Sequence, residues 1–199
     1  MELRRFARCD LPGLYRVCLR TGAVGQDATD RYTDPDLLGH LYAGAYPTAD
    51  PALSWVVRDD RGVAGYLVAT ADSAAFAAWQ EEHWWPELRE RYPLPGTGTE
   101  DDLRAISTIH AGQPPRTAVL DRYPAHLHID LLPRAQGSGM GRRLIDAVVT
   151  ELRARGVPGL HLGVAEANTG AIAFYDRVGF STESRDDAGR LLVMDLTTA

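Results

Sequence analysis

The chain has 199 residues, of which 45% are hydrophobic and 24% charged, and its formal net charge is −6. That length carries one large domain or two small ones with a real core, and the acidic balance argues against nonspecific nucleic-acid binding. All 21 basic residues are arginine, which excludes a P-loop and a Schiff-base lysine, since both chemistries need a lysine amine.

No apolar run approaches the ~20 residues of a membrane span. Met1 to Phe6 lacks an apolar signal-peptide core, so a cytoplasmic location is expected. Cys9 and Cys18 sit in core-like patterns and are expected to be reduced and buried. Leu3 to Arg8 reads as a first strand. Asp10 can cap a helix to about Arg20, with Leu14, Val17 and Cys18 on one face. Gly22 to Thr33 reads as loop, and a short helix after Pro35 uses Leu37, Leu38, Leu41 and Tyr42. Leu53 to Arg58 and Val63 to Ala69 form a hairpin around Asp59-Asp60-Arg61-Gly62.

Ser73 to Gly112 reads as helical, with breaks at Pro86 and at Pro93 to Gly98. Phe76, Trp79 and His83 share one stripe, and Trp85, Leu88 and Tyr92 another. Thr99 and Asp102 make a capping box. A strand from His126 to Leu132, a glycine loop, a helix to about Arg155, a strand from Gly159 to Ala165 and a helix from Asn168 to Val178 follow. A last hairpin pairs Phe180–Ser184 with Arg190–Leu196 around Asp187-Ala188-Gly189. The order describes one α/β domain over residues 1–199 with a helical insertion at about 72–124.

Gln136-Gly137-Ser138-Gly139-Met140-Gly141 joins that strand to a helix whose apolar stripe is Met140, Leu144, Ile145, Val148, Val149 and Leu152. Arg142 and Arg143 occupy its first turn, the end where the helix dipole disfavours cations. A pyrophosphate held on the exposed N–H groups of that turn would reconcile the two. The dinucleotide fingerprint G-x-G-x-x-G does not fit, because the glycines are evenly spaced and Arg142 takes the place of the last one. On the loop alone, another phosphate ligand or a plain flexible loop stays open.

Gln136-x-x-Gly139-x-Gly141 resembles the Q/R-x-x-G-x-G/A acyl-CoA signature of GNAT-type N-acetyltransferases. Asn168-Thr169-Gly170-Ala171-Ile172-Ala173-Phe174-Tyr175, followed by Val178-Gly179-Phe180, is similar to the superfamily's N-x-x-A-x-x-F-Y-x-x-x-G-F segment. His126 to Pro133, with Arg155 to Val164, also resembles the acetyltransferase-like C-terminal domain of O-GlcNAcases. The resemblance implies a GNAT fold: a mixed central sheet with splayed parallel strands, flanked by helices. It implies acetyl-CoA as cofactor, with Leu131 and Leu132 pairing the pantetheine. It puts the pyrophosphate on Gln136, Gly137, Ser138, Gly139, Met140, Gly141 and Arg142, and makes Asn168 a helix cap that also contacts the arm, with a cap and nothing else as its alternative. Tyr175 takes the position of the general acid that serves the departing thiolate; core packing is its alternative.

The base has three candidates. His126, His128 and Asp130 alternate on a strand, so all three share one face. A histidine can take a proton near neutral pH, and the pair resembles that of arylalkylamine acetyltransferases. Asp130 could instead orient a histidine, and a half-buried structural cluster is the alternative for all three. His161 adds a third imidazole, but no ordered metal motif such as H-E-x-x-H is present and no metal is expected.

Residues 72–124 carry Trp79, Trp84, Trp85 and Tyr92 with many acids. They read either as a surface for a cationic amine or as the insertion's own core with a solvated acidic face. The expected function is acetyl-CoA-dependent N-acetyl transfer by direct attack, with a small-molecule, peptide or protein amine as acceptor. Neither nucleic acid nor membrane is expected as partner, and a homodimer stays open. The alternative is a module that binds acetyl-CoA without catalysis.

Overall fold

In a computed structural model, which describes residues 1–115, 117–187 and 189–197, the strands form one seven-stranded sheet. In chain order these are β1 (Glu2–Arg5), β2 (Ser54–Asp59), β3 (Gly62–Thr70), β4 (Ala125–Leu131), β5 (Gly159–Val164), β6 (Ser181–Asp186) and β7 (Gly189–Asp195). Their spatial order is β1-β2-β3-β4-β5-β7-β6. Only β4 and β5 run parallel, and they pair at just two positions, Ala125 with Leu160 and His126 with His161. Beyond those pairs the two strands part. Ala188, at the tip of the expected last hairpin, lies outside the described residues.

The helices are α1 (Leu11–Thr21), α2 (Leu37–Tyr42), α3 (Ala45–Ala49), α4 (Ser73–His83), α5 (Trp85–Arg91), α6 (Glu100–Ala111), α7 (Met140–Ala154) and α8 (Thr169–Arg177). Helix α7 buries Met140, Leu144, Ile145, Val148 and Leu152 against Leu127, Leu160 and Leu162 on one sheet face. Helix α1 covers the other face, where Leu14, Val17 and Cys18 meet Val56, Tyr66 and Val68. Helices α5 and α6 close a separate core around Trp85, Leu88, Ile106 and Ile109, which takes in Leu37 and Leu41 of α2.

Four local expectations need correction. The first strand ends at Arg5, because the Asp10 carboxylate accepts the Ala7 N–H at 2.9 Å and the Arg4 guanidinium at 2.7 Å, and so turns the chain. Those bonds occupy the side chain expected to cap α1. Cys9 is exposed while Cys18 is buried, and both are free thiols. The break expected at Pro86 is present but falls two residues earlier, at Trp84 between α4 and α5, and Pro86 sits in the first turn of α5, where its missing N–H is not needed. The Thr99–Asp102 capping box is present, and Asp102 also accepts the Thr33 N–H, tying α6 to the loop before α2. No helix among the described residues is long and apolar enough to cross a membrane.

Candidate active site

The parting of β4 from β5 leaves backbone groups without a ladder. The Leu132 N–H is taken by the Ala64 carbonyl at 2.9 Å, on the β3 side. In an antiparallel ladder alternate residues face the same neighbour. The backbones of Asp130 and His128 therefore also face β3, and those of Leu131 and Ile129 face the split. Of the two leucines expected to pair a ligand arm, only Leu131 offers its N–H there, and the other backbone facing the split is that of Ile129, which sequence reasoning did not single out. The Leu131 carbonyl already accepts the Gln136 side-chain N–H at 2.8 Å.

Beside the split lies a cleft of about 710 Å³. Ile129 and Leu131, the glycine turn, Asn168 to Ala171, Phe174 and Tyr175 line it, and Thr21 to Gln26 close its far wall. Gly137 and Gly139 hold φ of +69° and +78°, and a Cβ on either would meet nothing within 4 Å, so the turn is open toward the cleft. That conformation favours glycine. The N–H groups of Met140, Gly141 and Arg142 open α7 and have no carbonyl partner within it. Such a turn fits an anionic group. One Arg142 nitrogen bonds the Arg177 carbonyl at 2.6 Å, at the C-terminal end of α8. That contact, which suits a cation to a helix C-terminus, gives the arginine a second reason to sit where it does. Arg143 turns to the Met140 sulfur, and the Ser138 hydroxyl donates to the Ala135 carbonyl.

Asn168 caps α8 by accepting the Ala171 N–H at 3.2 Å. Tyr175 is buried on α8 against Phe174 and Phe180. Burial, with the nearby Asp130 carboxylate, pushes its phenol well above the usual range. Tyr175 also lines the cleft, and its hydroxyl makes no hydrogen bond among the described residues.

His126, His128 and Asp130 share one face of β4, as their spacing predicts, and meet α1 to α4. His126 is locked at both nitrogens. Its Nδ1 lies 2.6 Å from the Ser73 hydroxyl and its Nε2 2.7 Å from the Tyr46 hydroxyl. Ser73 spends its one proton on the Pro124 carbonyl, so Nδ1 carries the hydrogen and Nε2 accepts from Tyr46. His128 makes no hydrogen bond among the described residues; Tyr42 and Tyr46 pack against its ring at 5.6 and 5.4 Å between centroids. Burial pushes its imidazole down to about 4 and holds it neutral near neutral pH. Burial also raises Asp130, which Tyr66 and Thr21 hydroxyls pull back down, and the Tyr66 O–H donates to it at 2.5 Å. Asp130 bonds neither histidine, so orienting one of them is not its role here.

A second cavity, of about 420 Å³, continues along the same split. His126 to His128 and Leu162 to Ala165 line its floor, and Tyr42, Tyr46, Phe76, Gln80, Pro114 and Pro115 its walls. Gln80 is 2% exposed, and its Nε2 has no partner. The acids of residues 72–124 do not reach this cavity. Glu81 pairs with Arg89 at 2.9 Å, Asp101 with Arg31 at 2.7 Å, and Glu87 and Glu90 are not among its lining residues. Trp85 and Tyr92 fill the segment's own core.

The family model "Acetyltransferase (GNAT) family" matches residues 23–180. The chain belongs to the GNAT acetyltransferase family. The crystal structure of SsHAT superposes on it with a TM-score of 0.89 at 35% identity, covering 99% of this chain and 98% of that one. Mycothiol acetyltransferase of Nocardiopsis dassonvillei is 30% identical over 88% of this chain and 48% of its own length. Protein O-GlcNAcase of Rattus norvegicus is 22% identical over 89% of the chain, which spans only about a fifth of that protein, 20%. A GNAT phosphinothricin acetyltransferase of Sinorhizobium meliloti, solved with acetyl-CoA, shares the fold at a TM-score of 0.60 and 18% identity, over 98% of this chain and 87% of that one. The mixed sheet with its splayed parallel pair is the GNAT fold expected from the two motifs.

Within this GNAT chain, Tyr46, Ser73, Gln80 and the Thr21–Gln26 loop escaped sequence reasoning. Gln80 left a trace: Ser73, Phe76 and Gln80 are spaced by three and four along α4, so a polar residue falls in the buried stripe.

Proposed function

We propose that this chain is an acetyl-CoA-dependent N-acetyltransferase that moves the acetyl group to a primary amine by direct attack in a ternary complex. One observation carries the reading. Two cavities lie end to end along the β4–β5 split, one ringed by the glycine turn and Tyr175, the other by aromatic rings and imidazoles. We read residues 1–199 as one domain in which the 72–124 segment walls the second cavity.

Acetyl-CoA would supply the acetyl thioester. The N–H groups of Met140, Gly141 and Arg142 would hold its phosphates, the free Arg142 nitrogens would add charge, and the Ile129 and Leu131 backbones would pair its extended arm. The amine nitrogen bonds to the acetyl carbon, the carbon–sulfur bond breaks, and the products are the N-acetyl amine and the free thiol. Tyr175 gives its proton to the departing sulfur. The nitrogen loses its proton to His128, whose ring nitrogens are unpartnered and whose neutral form burial maintains. His126, with both nitrogens bonded, positions the cavity floor instead. Direct attack fits because no cysteine lines either cavity among the described residues.

The test is thermal unfolding with saturating acetyl-CoA, CoA, ATP and NAD in parallel, followed by an amine screen for thiol release. Ligand at ~100 times its Kd adds about 2.7 kcal/mol, roughly 5–10 °C for a chain of this size. A shift with acetyl-CoA and CoA alone, then turnover, supports the reading. Binding without turnover of any amine leaves an acetyl-CoA-binding module.

A further inference from the structure

The second cavity has a chemical character that its enzyme class does not dictate. Among its described lining residues there is no aspartate or glutamate, and the one formal charge, Arg190, is held by Glu166 in a two-bond pair. The nearest carboxylate on β4, Asp130, lies in the other cleft under the Tyr66 hydroxyl. An ammonium ion entering this space would lose its water and gain no counter-charge. Flat aromatic surface is plentiful, from Tyr42, Tyr46 and Phe76. Gln80 adds one buried amide whose Nε2 has no partner, a group that a neutral polar substituent can satisfy.

We propose that this cavity accepts an uncharged, weakly basic aromatic amine carrying a neutral hydrogen-bonding group, and that Gln80 is the residue that recognises this group. The proposal rests on the acetyl-transfer reading above. It also accounts for the base: an amine that arrives neutral needs no strong base before attack, and His128 has only to remove the more acidic proton formed as the new bond closes. A lysine side chain or a polyamine would need a carboxylate, and the described lining residues include none.

The experiment compares para-aminobenzamide, aniline, spermidine and N-acetyl-lysine amide as acceptors near neutral pH. The expected result is kcat/KM at least tenfold higher for para-aminobenzamide than for either cationic amine. Gln80→Met should raise the KM of para-aminobenzamide relative to that of aniline by about tenfold, a ratio that general loosening of α4 would not move. Gln80→Glu should shift kcat/KM toward the cationic amines. Preference of the wild-type enzyme for a cationic amine overturns the proposal, as does an unmoved ratio in folded Gln80→Met. If acetyl-CoA binds but no amine turns over, the acetyl-transfer reading fails. Calorimetry of para-aminobenzamide with CoA-loaded protein then decides the cavity: binding that weakens in Gln80→Met upholds recognition by Gln80, and no binding overturns it.

Discussion

The Tyr46 hydroxyl of α3 donates to Nε2 of His126 on β4 at 2.7 Å, and this single bond fixes which of two adjacent histidines is free. With Ser73 holding Nδ1, His126 has no nitrogen left for substrate, whereas His128 makes no hydrogen bond among the described residues and is the imidazole we propose as proton acceptor. Two residues alike in sequence thus receive different surroundings from their neighbours.

Replacing Tyr46 with Phe removes the donor and leaves a buried imidazole nitrogen unpaired. Stability should fall by about 1–3 kcal/mol, read as a lower urea midpoint with an unchanged slope. His128→Gln should act in the opposite way, lowering kcat by about a hundredfold or more while acetyl-CoA affinity holds. Equal losses of kcat in both variants would show that the division of roles is wrong.

Tyr175 packs in the core and borders the cleft, so its phenol ring and its hydroxyl can be separated by substitution. Tyr175→Phe keeps the ring contacts with Phe174 and Phe180. We expect kcat to drop about a hundredfold with the Kd for acetyl-CoA within twofold. Using an acetyl thioester with a more acidic thiol should recover part of the loss, since a better leaving group needs less help from a proton donor. A variant as fast as wild type would return Tyr175 to a packing role.

Gly139 opens α7 at φ +78° with nothing within 4 Å of a Cβ, so bulk there enters the cleft rather than the core. Gly139→Val should cost about 1–2 kcal/mol of stability through the disfavoured backbone conformation and abolish the acetyl-CoA-induced rise in Tm. Retention of tight binding in the variant would remove the turn from the site.

How legible the site was depended on how local its causes are. The α7 stripe was readable because a 3.6-residue repeat from Met140 to Leu152 is written within one helix. The shared face of His126, His128 and Asp130 followed from the two-residue period of a strand. Tyr46 was not readable, because Pro47 argues against a helix there and its partner lies 80 residues away. Nor could spacing show that Leu132 would spend its N–H on Ala64, since that depends on the register between β3 and β4. The surplus acids of residues 72–124 suggested a cation site, yet arginines neutralise them, some within the segment, as Arg89 does Glu81, and some from outside it, as Arg31 of the preceding loop does Asp101.

Acid should weaken the fold through the same histidines. Burial pushes His128 from its ordinary 6.5 down to about 4, and burial with the neighbouring imidazoles of His128 and His161 holds His126 well below its ordinary value too. Between those values the unfolded chain binds protons that the folded chain refuses, so stability is full above 6.5 and falls as pH drops toward 4. Each histidine contributes up to about 1.4 kcal/mol per pH unit in that window. Asp130 works the other way: its carboxyl is raised by burial, so its contribution is lost as pH rises through its own range and partly offsets the histidines near pH 4. Urea midpoints should therefore fall steadily from pH 7 to pH 5. His128→Gln should flatten that slope in part, with His126 and His40, which burial also lowers, supplying the remainder. A midpoint that does not change between pH 7 and pH 5 would mean that the two imidazoles are more open to water than their packing against Tyr42, Tyr46 and Phe76 indicates.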